Sequence, residues 1–272
     1  MQPQRDTPWT LILIAAAVVA VLAGWYFWQP APQPAAEVPV STAVPGLDDA
    51  PAGPQHPLPE PGDDSDIERE LVPLPALSDS DQYFKLELST LFGPALADAL
   101  ISSALIERLV ATIDSLTRAQ LAERIRPMSA LPGQLEVAGQ DGSGDYLLLS
   151  DNYARYDALV EQVTTANLDE VMDLYRRYYP LFQKAYVGLG YPNGYFNDRL
   201  VEVIDHLLAT PEVSDPIVLV RPHVLYEFAD EELESLSSGQ KMLIRIGPQH
   251  RAAIKETLIR FRTLVTSRTE SL

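Results

Sequence analysis

The chain has 272 residues, 46% hydrophobic and 21% charged, enough apolar material to bury the core of one good-sized domain. Its formal charge of −18 leaves no basic footprint for a nucleic-acid partner. It has no cysteine, which removes disulfides, thiolate metal sites, cysteine nucleophiles and lipid acylation on sulfur together.

From Leu11 to Trp28, LILIAAAVVAVLAGWYFW runs 18 residues without a charge. At roughly 1.5 Å per residue a helix of this length spans about 27 Å, the thickness of a bilayer's hydrocarbon core. Trp9 precedes the run, and Trp25, Tyr26 and Trp28 close it, as aromatic side chains do at membrane interfaces. Arg5 lies before it and an acidic tract after it, so the positive-inside rule predicts a single-pass anchor with its N-terminus in the cytoplasm and everything after the span outside. On this reading residues 1–28 are a short cytoplasmic end and a transmembrane signal-anchor helix, and the C-terminal part lies outside the cytoplasm. The competing reading is a cleaved signal peptide ending near Val21-Leu22-Ala23; the bulky WYFW, where a polar region is expected, argues for the anchor.

Residues 29–75 hold 12 of the 23 prolines, nine Asp/Glu and one basic residue, Arg69. They show neither helical nor strand periodicity, and a stretch of this composition cannot bury enough apolar surface to offset the entropy of ordering. The composition predicts a disordered Pro/Ala-rich acidic linker whose charge keeps the C-terminal domain off an anionic lipid surface.

Residues 76–272 are predicted to form one mostly α, multi-helix globular domain with a small β-hairpin or extended element. Ser78 and Asp81 have the spacing of a capping box ahead of a helix that Gly93-Pro94 ends. A short helix near 95–100 leads to Ser103 and a helix whose apolar stripe is Leu105, Ile106, Leu109, Val110, Ile113 and Leu116. LEVAGQDGSGDYLLL predicts a hairpin with strands near 135–138 and 145–149. A helix over 152–166 comes next, and Asn167 with Glu170 starts another with the stripe Leu168, Met172, Tyr175, Tyr179, Phe182, Tyr186 and Leu189. Pro180 inside it should bend or split it. Tyr191-Pro192-Asn193-Gly194 fits a type I turn, after which Asn193 or Asn197 caps a helix to Ala209. PIVLV is extended, and helices near 230–246 and 249–266 complete the domain, separated by Gly247-Pro248.

The stretches NYARYDALV, YRRYYPLFQKAY, GYFNDRLVEVIDHLLATPE and RPHVLYEFADEELESLSSGQKMLIRIGP resemble the bacterial domain-of-unknown-function family 3014 across most of 76–272. The order of anchor, Pro/Ala-rich linker and domain resembles it too. The resemblance implies a Gram-negative envelope setting, with the single-pass anchor in the inner membrane and the C-terminal domain in the periplasm, and brings no activity, so it assigns no catalytic residue.

Four features of the domain bear on chemistry. Ser238-Gly-Gln-Lys241 has the Ser-x-x-Lys spacing of penicillin-recognising serine enzymes, and Ser150-Asp151-Asn152 is also present. The order is inverted, however, and no Lys-Thr-Gly exists, so Ser238 reads as a helix cap. Asp198, Glu202 and Asp205 share one face of the 196–209 helix, with His206 one turn from Glu202. Such a row could hold a hard cation or act as paired carboxylates in glycan cleavage, but Arg199 stands three residues from Glu202 and can neutralise it. His56, His223 and His250 match no metal-ligand spacing, and no metal or cofactor is expected.

The fourth feature is tyrosine: nine of the 12 fall within 146–195. Tyr175, Tyr179 and Tyr186 lie on the apolar stripe and read as core. Tyr191 and Tyr195 flank a turn, so they either pack the corner or, with Arg176 or Arg177 brought near by the Pro180 bend, form a recognition surface. The function expected is a membrane-tethered binding or scaffold module for an envelope protein or peptidoglycan. The alternative is a carboxylate-dependent enzyme acting on peptidoglycan or a related polymer, using Glu202 with Asp198 or Asp205.

Overall fold

The computed structural model describes residues 53–58, 73–129, 135–139 and 145–267. The run from Leu11 to Trp28 and most of 29–75 lie outside them. Among the described residues no helix is long and apolar enough to cross a membrane.

The fold is mostly helical with one small antiparallel sheet. Helices α1 (Asp81–Phe92) and α2 (Pro94–Ala99) meet at Gly93, whose φ of 83° turns the chain just ahead of Pro94. Helix α3 (Leu105–Ser115) buries Leu105, Ile106 and Val110 as its 3.6-residue stripe requires. Its N-terminus is not capped by Ser103, nor is α1 started by a Ser78 capping box. The Asp81 carboxylate crosses from α1 to accept the N–H groups of Ala104 and Leu105, and Ser78 Oγ reaches only its neighbour Asp79.

Strands β1 (Val137–Ala138) and β2 (Asp145–Leu148) form the expected hairpin, with Val137 opposite Leu148. Period-2 alternation sends Tyr146 and Leu148 inward and leaves Asp145 and Leu147 exposed. The predicted helix from Asn152 begins later, as α4 (Asp157–Thr165), after a 3-10 stretch Ser150–Tyr156. Asn152 is spent on the sheet: its side chain accepts from Glu136 N–H at 2.8 Å and donates to Glu136 O at 2.6 Å.

Helix α5 (Leu168–Gly188) is capped by Asn167, which accepts from Asp169 N–H at 3.1 Å. It runs unbroken through Pro180, so of the bend or split expected there the split does not occur. Pro180 faces solvent, where water can take up the carbonyl that its missing N–H leaves free. Phe182 of α5 sits 5.6 Å, ring centre to ring centre, from Phe84 of α1 and 5.7 Å from Phe196 of α6 (Phe196–Leu208), so aromatic rings tie three helices into the main core. The apolar stripe of α6, Phe196, Leu200, Ile204 and Leu207, is buried throughout.

Strand β3 (Val218–Val220) adds to β2 with Leu219 opposite Tyr146, and β4 (Glu227–Phe228) adds to β3, giving the order β1-β2-β3-β4. Its inner face forms a second core of Tyr146, Leu148, Ile217, Leu219 and Phe228 with Ile244. The helix expected over 230–246 is two pieces, α7 (Glu231–Glu234) and α8 (Ser238–Arg245), and the cap of α8 is Ser237, in a capping box with Gln240. Helix α9 (Pro248–Thr266) closes the fold against α4, α5 and α6.

Candidate functional site

The corner between α5 and α6 concentrates the polar chemistry of the domain. Gly194 N–H bonds to Tyr191 O at 3.1 Å, closing the expected turn. A Cβ at Gly194 would stand 2.9 Å from the Tyr186 ring, so only glycine lets that ring reach the turn. Tyr186 stacks on Tyr191 with centroids 4.7 Å apart. Neither Asn193 nor Asn197 caps α6. Gln183 does so from α5: its Oε1 accepts the N–H of Phe196 at 2.8 Å while its Nε2 donates to Gly194 O at 2.7 Å.

Tyr191 leads into an ion cluster. Its hydroxyl accepts from Arg118 Nη2 at 3.1 Å and donates to Asp114 Oδ2 at 3.4 Å. Asp114 is buried and also takes Arg118 at 2.7 Å and Arg199 Nε at 2.9 Å. Arg199 Nη2 donates to the Asp114 carbonyl and to Thr117 Oγ1, each at 2.7 Å, so α6 supplies a cationic cap for the C-terminus of α3. Burial acts to lower the Arg199 pKa, but Glu202 and Asp114 outweigh it and the guanidinium is held above its usual value. Burial and the neighbouring Asp114 carboxylate push the Tyr186 hydroxyl up, keeping it neutral.

Across the first turn of α6 the next two residues hold a remote part of the chain. Asn197 is fully buried; its Oδ1 accepts from the Tyr175 hydroxyl at 2.9 Å, and its Nδ2 donates to Val265 O at 3.2 Å and His56 O at 2.8 Å. Burial, then Tyr179 and Asp198, push the Tyr175 pKa well above the usual tyrosine value, so this hydroxyl keeps its proton and donates. Asp198 receives two successive backbone N–H groups, Gln55 at 2.9 Å and His56 at 2.7 Å, one on each carboxylate oxygen. Leu58 packs against the main core. Residues 53–58, within the stretch read as linker, are therefore seated on the domain.

The structure disperses the residues that sequence spacing had grouped. Of the acidic row, Asp198 takes the 53–58 backbone and Glu202 pairs with Arg199 at 2.7 Å. Asp205 pairs with Arg262 at 2.5 Å, and His206 Nε2 meets Ser237 Oγ at 2.8 Å. The bond from Arg262 holds the Asp205 carboxyl below its ordinary value. Among the described residues no group of three or more His, Asp or Glu could hold a metal ion. Arg177 turns to Glu87 on α1 at 2.7 Å and Arg176 to Asp173 at 3.4 Å; the guanidinium that reaches Tyr191 is that of Arg118. Tyr195, half-buried, stands at the N-cap position of α6. Lys241 is bound to Glu234 at 2.6 Å and Ser238 Oγ to Ser115 O at 3.3 Å, so the Ser-x-x-Lys pair has no common bond. His250 has an acceptor at each ring nitrogen, Asp157 at 3.0 Å and Ile246 O at 2.9 Å.

Sequence reading missed Asp114, although it falls one turn after Val110 on the buried face of α3, where an acid needs a partner. It also missed Gln183, which occupies the same face of α5 as Tyr179 and Tyr186.

The model of a family described as protein of unknown function (DUF3014) matches residues 105–262, more than half of the chain. The chain belongs to the DUF3014 family. No curated protein and no solved structure matches it. The DUF3014 match starts at the first residue of α3 and ends within α9, so it contains the Asp114–Arg199 cluster, Asn197 and Asp198 but not the segment they hold.

Proposed function

We propose that this DUF3014 protein is a binding module of the bacterial envelope. On this reading Leu11–Trp28 anchors it in the inner membrane, the Pro-rich tract spaces it from the bilayer, and the helical domain docks another envelope protein in the periplasm. The observation that carries the binding role is the tip between β3 and β4. There Val224 and Leu225 are 70% and 75% exposed, side by side, on a turn stiffened by Arg221, which donates to Val224 O and lies over the Tyr226 ring. Adjacent apolar side chains held in water on a braced turn suit a protein partner with an apolar recess better than a polar glycan. The hairpin tip also replaces Tyr191 as the favoured contact, because the Tyr191 hydroxyl is committed to Asp114 and Arg118. Glycan cleavage by Glu202 with Asp198 or Asp205 is less well supported, since each of those carboxylates has a separate partner.

The absence of cysteine makes the test direct. A thiol introduced by Leu225→Cys should react with a membrane-impermeant maleimide once the outer membrane is permeabilised, and crosslinking from it should trap a discrete envelope protein. Substituting Val224→Ser and Leu225→Ser together should reduce that protein's co-purification about tenfold without moving the melting temperature. Labelling only after cell lysis would refute the location, and undiminished co-purification would refute the contact.

A further inference from the structure

We propose that the notch formed by Asn197, Asp198 and Leu58's apolar seat is a peptide-docking site, and that residues 53–58, Gly-Pro-Gln-His-Pro-Leu, are its reversible occupant in cis. Recognition is through the backbone: Asp198 takes the N–H groups of Gln55 and His56, and Asn197 donates to His56 O. The receiving side is built in advance of the peptide. Asn197 is fully buried and already oriented by Tyr175 and Val265, and Asp198 lies in the first turn of α6, where the helix dipole favours its charge. The incoming side is stiffened by Pro54 and Pro57, which bracket the Gln-His pair and reduce the entropy lost on seating.

The contact is of a size that opens. Three hydrogen bonds and one half-buried leucine are set against the ordering of six residues, opposing quantities of similar magnitude. Released, residues 53–58 return to the proline-rich tract that precedes the domain. If the chain is tethered at Leu11–Trp28, release adds residues 53–58 to the reach of the domain, up to about 19 Å in an extended proline-rich conformation. A competing peptide that offers two successive N–H groups and a carbonyl after them would thus lengthen the tether as it binds.

The test uses the full chain with one thiol, Gln55→Cys, carrying a nitroxide; the Gln55 side chain is exposed and its N–H is retained. The label should be immobilised in the otherwise native chain. Asp198→Ala, which removes the acceptor of both N–H groups, should shift the seated-to-released ratio about tenfold or more toward release. Because Asp198→Ala could disturb α6 itself, Leu58→Ser provides the same reading from the peptide side and should also mobilise the label. Excess free peptide Gly-Pro-Gln-His-Pro-Leu should do so without any substitution in the notch. A label already mobile in the native chain, or indifferent to all three changes, overturns the proposal, and release on dilution overturns its cis form by showing exchange between two copies. None of these readouts depends on where the domain resides or what the β3–β4 tip binds, so failure of the envelope reading would leave them unchanged.

Discussion

Asp81 caps a helix to which it does not belong: its Oδ1 accepts the N–H of Leu105, the first residue of α3, at 2.7 Å. Its other oxygen takes Ala104 N–H at 2.8 Å, and Ala104 holds a φ of 50° that a non-glycine residue adopts only when its surroundings require it. Helix α3 has no side-chain cap from its own N-cap residue. Replacing Asp81 by Ala should therefore cost about 1–2 kcal/mol and lower the melting temperature by roughly 2–8 °C. Ser78→Ala should change nothing measurable. Circular-dichroism melts of the two variants decide it, and equal shifts would place the cap elsewhere.

The Asp114 cluster predicts an ordering among variants. Arg199 is 15% exposed and Arg118 57% exposed, while the carboxylate they share is buried. Asp114→Ala leaves the largely desolvated Arg199 only the exposed Glu202 and should cost about 1.5–3 kcal/mol. Arg118→Ala, at the wet side of the same carboxylate, should cost less than about 1 kcal/mol. Tyr191→Phe keeps the stack on Tyr186 and should lose about 1 kcal/mol, against about 3 kcal/mol for Tyr191→Ala. Urea unfolding gives all four values. If Arg118→Ala proved as costly as Asp114→Ala, the burial gradient across the cluster would be wrong.

The Asp205–Arg262 pair predicts a pH dependence with a definite sign. The bond from Arg262 depresses the Asp205 pKa below the usual 3.8, so the folded state binds the proton less readily than the unfolded chain. The stabilisation is complete above the ordinary carboxylate pKa and is lost as pH falls through the lowered value. Both side chains are substantially exposed, so the difference between the native chain and Asp205→Asn should be about 0.2–1 kcal/mol near neutrality and should shrink in salt. It should persist down to about pH 4 and then fade. A difference that grew on acidification would contradict the assignment.

Periodicity carried the helices: on the α3 stripe Leu105, Ile106 and Val110 are buried and Leu109 and Ile113 pack against the core, because an apolar row at 3.6-residue spacing leaves little choice of face. The β1–β2 hairpin and the turn at Tyr191–Gly194 were legible for the same local reason. What stayed hidden depends on partners distant in sequence. Asp81 has the right spacing for a local capping box, yet it serves α3. Asp198 and Asp205 share a face, yet each is drawn to a different part of the chain. The seating of 53–58 was the least legible, because it uses the N–H and C=O groups that nearly every residue carries, and its composition is that of a linker. Strand β4 is two residues long, too short for alternation to mark it.

The sheet constrains the order in which the molecule can assemble. Strand β2 pairs on one side with the nearby β1 and on the other with β3, which lies beyond α4, α5 and α6 in the chain. During synthesis from the N-terminus, the β1–β2 hairpin leaves the ribosome long before its second neighbour exists. A two-stranded hairpin is marginal in water, and its inward side chains Tyr146 and Leu148 have nothing to cover them until Leu219 and Ile244 arrive. Completing the sheet requires the chain through α4, α5 and α6 to fold back so that β3 meets β2. The sheet should accordingly be the late, slow step of refolding, and the stage at which a nascent chain most needs a chaperone.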